Sequence, residues 1–160
     1  MNVNDKLMGA EQRLADLNIR LPRPPEPLGA YAESAQSGRL LFLSGTLPIE
    51  EGVPRFQGRI GENLNIDDGR SAARLATLNA LALARAHLKS LNRVRRVIRL
   101  GVSLVTTEAF REHPKVADGA SELLAAVFGS DKLSTRLVFG VQSLPLGLCA
   151  EVEVILEIGD

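Results

Sequence analysis

Apolar residues recur along this chain with two distinct periods, and the places where the period changes mark the elements. From Asn4 to Leu17, Leu7, Leu14 and Leu17 fall on one side at near-helical spacing, with Asn4 or Asp5 available as a cap, which predicts a helix. The segment Leu21-Pro-Arg-Pro-Pro-Glu-Pro27 has four prolines in seven residues and admits neither helix nor central strand, so it reads as an extended arm. Ala30–Ser37 and Leu40–Ser44 predict two strands of a hairpin turning at Gly38. Glu50 to Asn63 is Gly-rich and polar, a loop with one short strand expected around Phe56 to Ile60. Asp67 or Asp68 is the expected cap of a long helix reaching about Leu91, striped by Ala72, Ala76, Leu83 and their neighbours. Val94–Val105 alternates as a strand, with Ile98, Leu100, Val102 and Leu104 on one side and Val97, Arg99, Gly101 and Ser103 on the other. A second helix is expected over Val116–Phe128, burying Leu123, Leu124, Val127 and Phe128. Strands over Leu137–Ser143 and Cys149–Ile158, around a turn at Leu144–Gly147, close the chain.

The order hairpin, helix, strand, helix, hairpin predicts an α+β sandwich with both helices on one face of the sheet. Residues 1–29 form an N-terminal helix and arm, and residues 30–160 the α+β domain. In the two closing strands, Leu137, Phe139 and Val141 with Ala150, Val152, Val154 and Leu156 are assigned to the helix-covered layer. The other side carries Arg136, Val138, Gly140 and Gln142 with Cys149, Glu151, Glu153, Ile155 and Glu157. That mixed face has two readings: solvated, as antiparallel sheets often are, or a polar subunit interface.

Composition narrows the chemistry. At 160 residues the chain fits one ordinary domain, and 45% hydrophobic with 24% charged residues excludes disorder for most of its length. Nineteen basic and nineteen acidic residues cancel, and the aromatics are five Phe, one Tyr and no Trp. Neither the basic excess nor the stacking platforms of a nucleic-acid binder are present. The lone Cys149 makes no intramolecular disulfide, and the first residues lack an apolar signal core, so a cytoplasmic protein without a membrane span is expected. His87 and His113 are far apart, and no metal-ligand cluster or phosphate loop occurs; neither metal nor cofactor is expected.

Tyr31, then Leu43-Ser44-Gly45-Thr46-Leu47-Pro48, then Arg136, Leu144-Pro145 and Glu151-Val152-Glu153 stand in an order and spacing that resembles the Rid family of reactive-intermediate deaminases. That family was formerly labelled the perchloric-acid-soluble or endoribonuclease family. The resemblance covers about Ala30 to Glu157. The N-terminal helix, the arm and Val116–Leu124 look like the family's longer branch. It implies a chorismate-mutase-like fold, a homotrimer with clefts between subunits, and cofactor-free hydrolysis of imines and enamines such as 2-aminoacrylate to 2-keto acids and ammonia. By the same matching Arg136 holds the substrate carboxylate, Glu151 orders the attacking water, and Tyr31, Ser44 and Gly45 line the pocket. Val138 stands where the best-known branch often has Cys, Thr46 where it often has Gln, and Asp118 where Asn is frequent. Cys149 is expected on the same face as Glu151, bringing a thiol towards the pocket from another position.

The residue types suit those roles. A planar guanidinium holds a carboxylate through two parallel hydrogen bonds, which an ammonium does not match. An imine carbon is already electrophilic, so positioning plus one carboxylate base suffices. Two other functions are compatible with the same residues: a non-catalytic trimer binding a small carboxylate, and the ribonuclease or translation inhibitor of the older label. Zero net charge and the lack of a histidine pair count against the latter. Likeness to chorismate mutase is one of fold and carries no function.

Overall fold

The computed structural model describes residues 8–159. Helix α1 spans Ala10–Asp16, begins after an extended Gly9, and buries Ala10 and Leu14 while Leu17 stays exposed. The expected start at Asn4, its caps and Leu7 lie outside the described residues. Two reciprocal bonds fix α1 to the body: Asn92 Oδ1 accepts from the Glu11 N–H at 3.0 Å, and Glu11 Oε1 accepts from the Leu91 N–H at 2.9 Å. The arm that follows is irregular up to residue 33, as its prolines require.

Strands β1 (Ser34–Ser37) and β2 (Leu40–Leu43) form the expected hairpin around Gly38, whose φ of +57° suits a residue without Cβ. A small hairpin of β3 (Ile49–Glu50) and β4 (Val53–Pro54) replaces the strand expected around Phe56 to Ile60. Phe56 and Gly58 have positive φ, which breaks an extended run, and that segment pairs with the rest of the chain through isolated bridges at Gln57 and Ile60. Helix α2 spans Ile66–Leu88. Its cap is Asn65 rather than Asp67 or Asp68, and Asp68 instead completes a capping box, each side chain accepting from the other's N–H at 2.9 Å. The helix stops at Leu88, before the expected Leu91, because Lys89 turns left-handed at φ 68°.

β5 (Val94–Val105), α3 (His113–Phe128) and β6 (Thr135–Val141) make a parallel crossover, and β7 (Ala150–Ile158) returns between β5 and β2. The sheet order is β1-β2-β7-β5-β6, with every neighbouring pair antiparallel except β5 and β6. The helices cover one face, and Ala150, Val152, Val154, Leu156 and Ile158 of β7 all point into that core.

Simple alternation fails at two places. In β5 the pairs Val94 with Ile158, Arg96 with Glu157, Val97 with Leu156 and Arg99 with Ile155 leave Arg95 and Ile98 as extra residues. These two bulges turn Val94, Val97 and Leu100 to the core despite their spacing of three, so Val97 is buried and Ile98 only partly. From Arg99 onward the expected alternation holds. In β6 the expected faces are reversed. Parallel pairing sets Ser103 against Phe139 and Val102 against Val138, so Leu137, Phe139 and Val141 share the open face with Glu151 and Glu153. Leu137 is 41% and Phe139 53% exposed, whereas Val138 packs against the core.

The two long helices approach closely where Gly119 of α3 meets the backbone of Arg70 in α2; a Cβ there would overlap the Arg70 carbonyl. Gly119→Ala is expected to push the helices apart and to destabilise by about 1–3 kcal/mol, read as a lower urea midpoint. An unchanged midpoint would show that the crossing has room to adjust.

Candidate active site

The β2–β7 ladder is interrupted at one point. Phe42 pairs with Ile155 and Thr46 with Val152, four steps on one strand against three on the other. The extra length leaves Ser44 and Gly45 outside the regular ladder. Thr46 anchors the far side of this break: it exchanges backbone hydrogen bonds of 2.8 and 2.9 Å with Val152, and its buried hydroxyl donates to the Ala76 carbonyl of α2 at 2.8 Å. Thr46 is therefore a structural tie between the sheet and α2.

Beside the break, an open groove of about 310 Å³ runs across the uncovered face. Ser44, Gly45, Ser103, Phe139, Glu151 and Glu153 line it, with Arg99 and Gly101 beyond. The Glu151 carboxylate lies directly over Gly45, where a Cβ would collide with it. Glu151 is partly buried and has no hydrogen bond or ion pair among the described residues; desolvation holds its carboxyl above the usual carboxylate range. Glu153, two residues on, faces Arg99 at 3.6 Å. The Ser44 hydroxyl donates to the Ala32 carbonyl at 2.6 Å, and its N–H donates to the Glu33 carbonyl, so its oxygen remains able to accept. Tyr31 does not line the groove. Its hydroxyl accepts from the Leu28 N–H at 3.1 Å, and it shares a smaller pocket with Ser44 and Gly45.

Arg136 lies elsewhere. It projects from the edge strand β6 on the helix side, not on the face of Glu151 as the alternation had it. Its Nη1 donates to Asp118 at 2.7 Å and to Ser121 at 3.1 Å, both on α3. Asp118, expected as a pocket residue, is thus its ion-pair partner. Among the described residues Nε and Nη2 have no partner, which leaves one fork of the guanidinium available. Val138 packs on the core beside it. Cys149 is not near the groove: it precedes β7, is fully buried, and burial pushes its thiol up to about 12. Cys149 stands opposite Val105, whose N–H donates to its carbonyl, but it precedes β7 and gives its own N–H to the Phe56 carbonyl, so the alternation of β7 does not extend to it.

Within one chain, then, Ser44 and Gly45 lie between Tyr31 on one side and Glu151 on the other, and Arg136, Asp118 and Val138 form a second group across the sheet. Arg99, Phe139, Glu153 and Ser121 were missed. The signal for Phe139 is the parallel β5–β6 register, which puts it level with Ser103. Among the described residues no three His, Cys, Asp or Glu side chains converge as metal ligands, and no helix is long and apolar enough to cross a membrane.

Residues 11–158 match the family described as "YjgF/chorismate_mutase-like, putative endoribonuclease". The chain belongs to this family. It is 34% identical over 148 residues, 92% of both chains, to Protein TCP17 of Trypanosoma cruzi. It superposes with a TM-score of 0.91 and 32% identity on a crystal structure from Shewanella oneidensis MR-1 described as "a putative endoribonuclease", covering 94% of this chain and 100% of that one. RidA from the Antarctic bacterium Psychrobacter sp. PAMC 21119 matches at 25% identity and a TM-score of 0.58, over 85% and 94% of the two chains. The α+β fold is that of the YjgF/chorismate-mutase-like proteins.

The burial of Glu151 has a thermodynamic consequence. Its carboxyl titrates higher in the folded chain than in the unfolded one, so stability falls as pH rises through that interval. Below the unfolded value of about 4.3 both states are protonated and the penalty vanishes. Glu151→Gln is therefore expected to be more stable than the parent at pH 7 and indistinguishable near pH 4, by urea titration at both. Equal midpoints at pH 7 would refute the desolvated carboxylate.

Proposed function

We propose that the chain is a cofactor-free deaminase that hydrolyses 2-imino and enamine acids of the 2-aminoacrylate type to 2-keto acids and ammonia. The observation that carries the reading is the Glu151 carboxylate: partly buried, unpartnered among the described residues, and set over Gly45 in an open groove. A desolvated carboxylate is a stronger base than one in water, which suits it to accept a proton. Glu151 takes a proton from water as the water oxygen bonds to the imine carbon and the C=N electron pair moves to nitrogen. Glu151 returns that proton to the nitrogen, giving a neutral carbinolamine; the hydroxyl proton then passes to nitrogen by the same carboxylate as the C=O bond forms, the C–N bond breaks and ammonia leaves. Membership of a family that includes a protein named RidA supports the reading.

Arg136 supplies the carboxylate clamp through its open fork, with Asp118 and Ser121 holding the other side of the guanidinium. Because Arg136 and Glu151 lie on opposite sides of one sheet, a complete site needs two subunits, the β6 edge of one meeting the groove of the next. We infer a homotrimer with the open face inward. Large apolar side chains on that face, Phe42, Leu137 and Phe139 at 39, 41 and 53% exposure, favour a covered interface over a solvated one.

The relatives' descriptions raise RNA cleavage as a second function. Zero net charge and two histidines held in separate places, His87 with Ser34 and Gln36, His113 with Thr106, weigh against it.

The test is an assay in which an amino-acid oxidase generates the imine and keto-acid release is followed with and without the protein. Arg136→Ala removes a charged hydrogen-bonded contact typically worth about 1.5–3 kcal/mol, so kcat/KM should fall roughly 10- to 100-fold with the trimer intact by light scattering. Arg136→Lys should recover little, since the fork geometry is lost. Full activity in a folded trimeric Arg136→Ala variant would eliminate the clamp, and a monomer at micromolar concentration would eliminate the shared site.

A further inference from the structure

The two ends of the groove differ in charge. At one end Glu151 stands over Gly45 with no counter-charge among the described residues. At the other, Arg99 brings its Nη2 within 3.6 Å of Glu153 Oε2. The antiparallel register fixes their spacing, since Glu151 lies opposite Ser103, Glu153 opposite Gly101 and Ile155 opposite Arg99. Ser103, Gly101 and Arg99 therefore follow one another on the same side of β5, and the middle residue has no side chain. That gap is the floor between the two ends, and a Cβ on Gly101 would lie 3.1 Å from Glu153 Oε2.

Arg99 is loosely engaged. Its contact with Glu153 is longer than a charge-assisted hydrogen bond, and the two side chains are 44 and 48% exposed, where such a pair contributes little. Among the described residues the guanidinium makes no hydrogen bond, so its planar fork of N–H donors is open to an acceptor of matching shape.

Resting on the deaminase reading above, we propose that Arg99 sets substrate preference by binding a second, distal carboxylate, so that the preferred imines are those of dicarboxylic amino acids of the glutamate type. Three observations meet here. Arg99 and Glu151 line one open groove of about 310 Å³, so a single ligand reaches both without crossing a wall. Their separation suits the length of such a substrate. Glu153, which Arg99 reaches, is two residues from Glu151, about 7 Å along the strand. About 3 Å of this is taken by the hydrogen bond to the guanidinium, and the remainder fits two methylenes between the reacting carbon and the carboxylate. Charge then decides between side chains of equal length. Arg99 is the cation among the residues lining the groove, and a carboxylate there exchanges a loose contact for two parallel hydrogen bonds, whereas a methyl group gains nothing from it. Glu153 competes for the same guanidinium, so its charge limits the preference.

The experiment compares ligands that differ only in the distal group. Binding of 2-oxoglutarate and 2-oxopentanoate is measured by calorimetry, and kcat/KM is measured for the imines an amino-acid oxidase makes from glutamate and norvaline. In the parent, 2-oxoglutarate should bind roughly fivefold or more tightly than 2-oxopentanoate, as a charged hydrogen-bonded contact implies, with kcat/KM in the same order. In Arg99→Met the ratio should fall to about one, and in Glu153→Gln it should rise. Arg99→Lys keeps the charge but not the fork; it should also lower the ratio, and it replaces Arg99→Met if light scattering shows that variant to have changed its oligomeric state. If neither imine is hydrolysed faster but the keto acids bind in that order, the deaminase reading fails and the dicarboxylate site stands. Equal binding of the two keto acids, tighter binding of 2-oxopentanoate, no binding of either, a ratio unchanged by the Arg99 variants, or one not raised in Glu153→Gln would overturn the role of Arg99.

Discussion

Two long helices stacked on one face of a five-stranded sheet oblige every strand beneath them to be two-sided, and β7 carries most of that obligation. It lies between β2 and β5, so both of its edges are hydrogen-bonded, and its core side runs Ala150, Val152, Val154, Leu156, Ile158 without interruption. Its neighbours adjust to it. β5 absorbs two extra residues to keep Val94, Val97 and Leu100 inward, and the chain after β2 absorbs one before Thr46 rejoins the ladder. A bulge relieves a mismatch between apolar spacing and strand period at the expense of local pairing. The one beside Thr46 leaves Ser44 and Gly45 clear of the ladder and next to Glu151.

The same strand explains why two carboxylates two residues apart differ. Glu151 and Glu153 point the same way, but among the described residues only Glu153 has a cation within reach, Arg99 from the adjoining strand. Glu151 has Gly45 beneath it and, among the described residues, no counter-charge, so burial favours its protonated form. On the other side of the sheet the situation is inverted. Arg136 has its charge matched by Asp118 at 2.7 Å, which orients the guanidinium while occupying one nitrogen. A carboxylate with no cation among the described residues and a cation already paired with Asp118 thus stand on opposite sides of the sheet.

Much of the fold was legible because the relevant forces are local. The alternation of β7, the apolar stripes of α2 and α3, the hairpin at Gly38 and the proline arm follow from the periods of side-chain direction and from the conformational limits of Gly and Pro. Helix ends were less legible. Asn65 and Asp68 cap α2 jointly, and either aspartate nearby has the right chemistry until the backbone selects one.

The sequence by itself determined the class of fold, the family and the candidate site residues, since these rest on pattern, composition and spacing along the chain. Tertiary structure alone decided on which face each of those residues stands. Strand β6 shows why: Arg136, Leu137, Val138 and Phe139 alternate whichever way the strand is turned, and only its parallel register against β5 sends Arg136 to the helices and Phe139 to the groove. A slip of one residue exchanges the faces of a whole strand without altering a letter of its pattern. Cys149 makes the same point at a strand's end, where the alternation of β7 stops and the thiol lies in the core instead of the expected pocket.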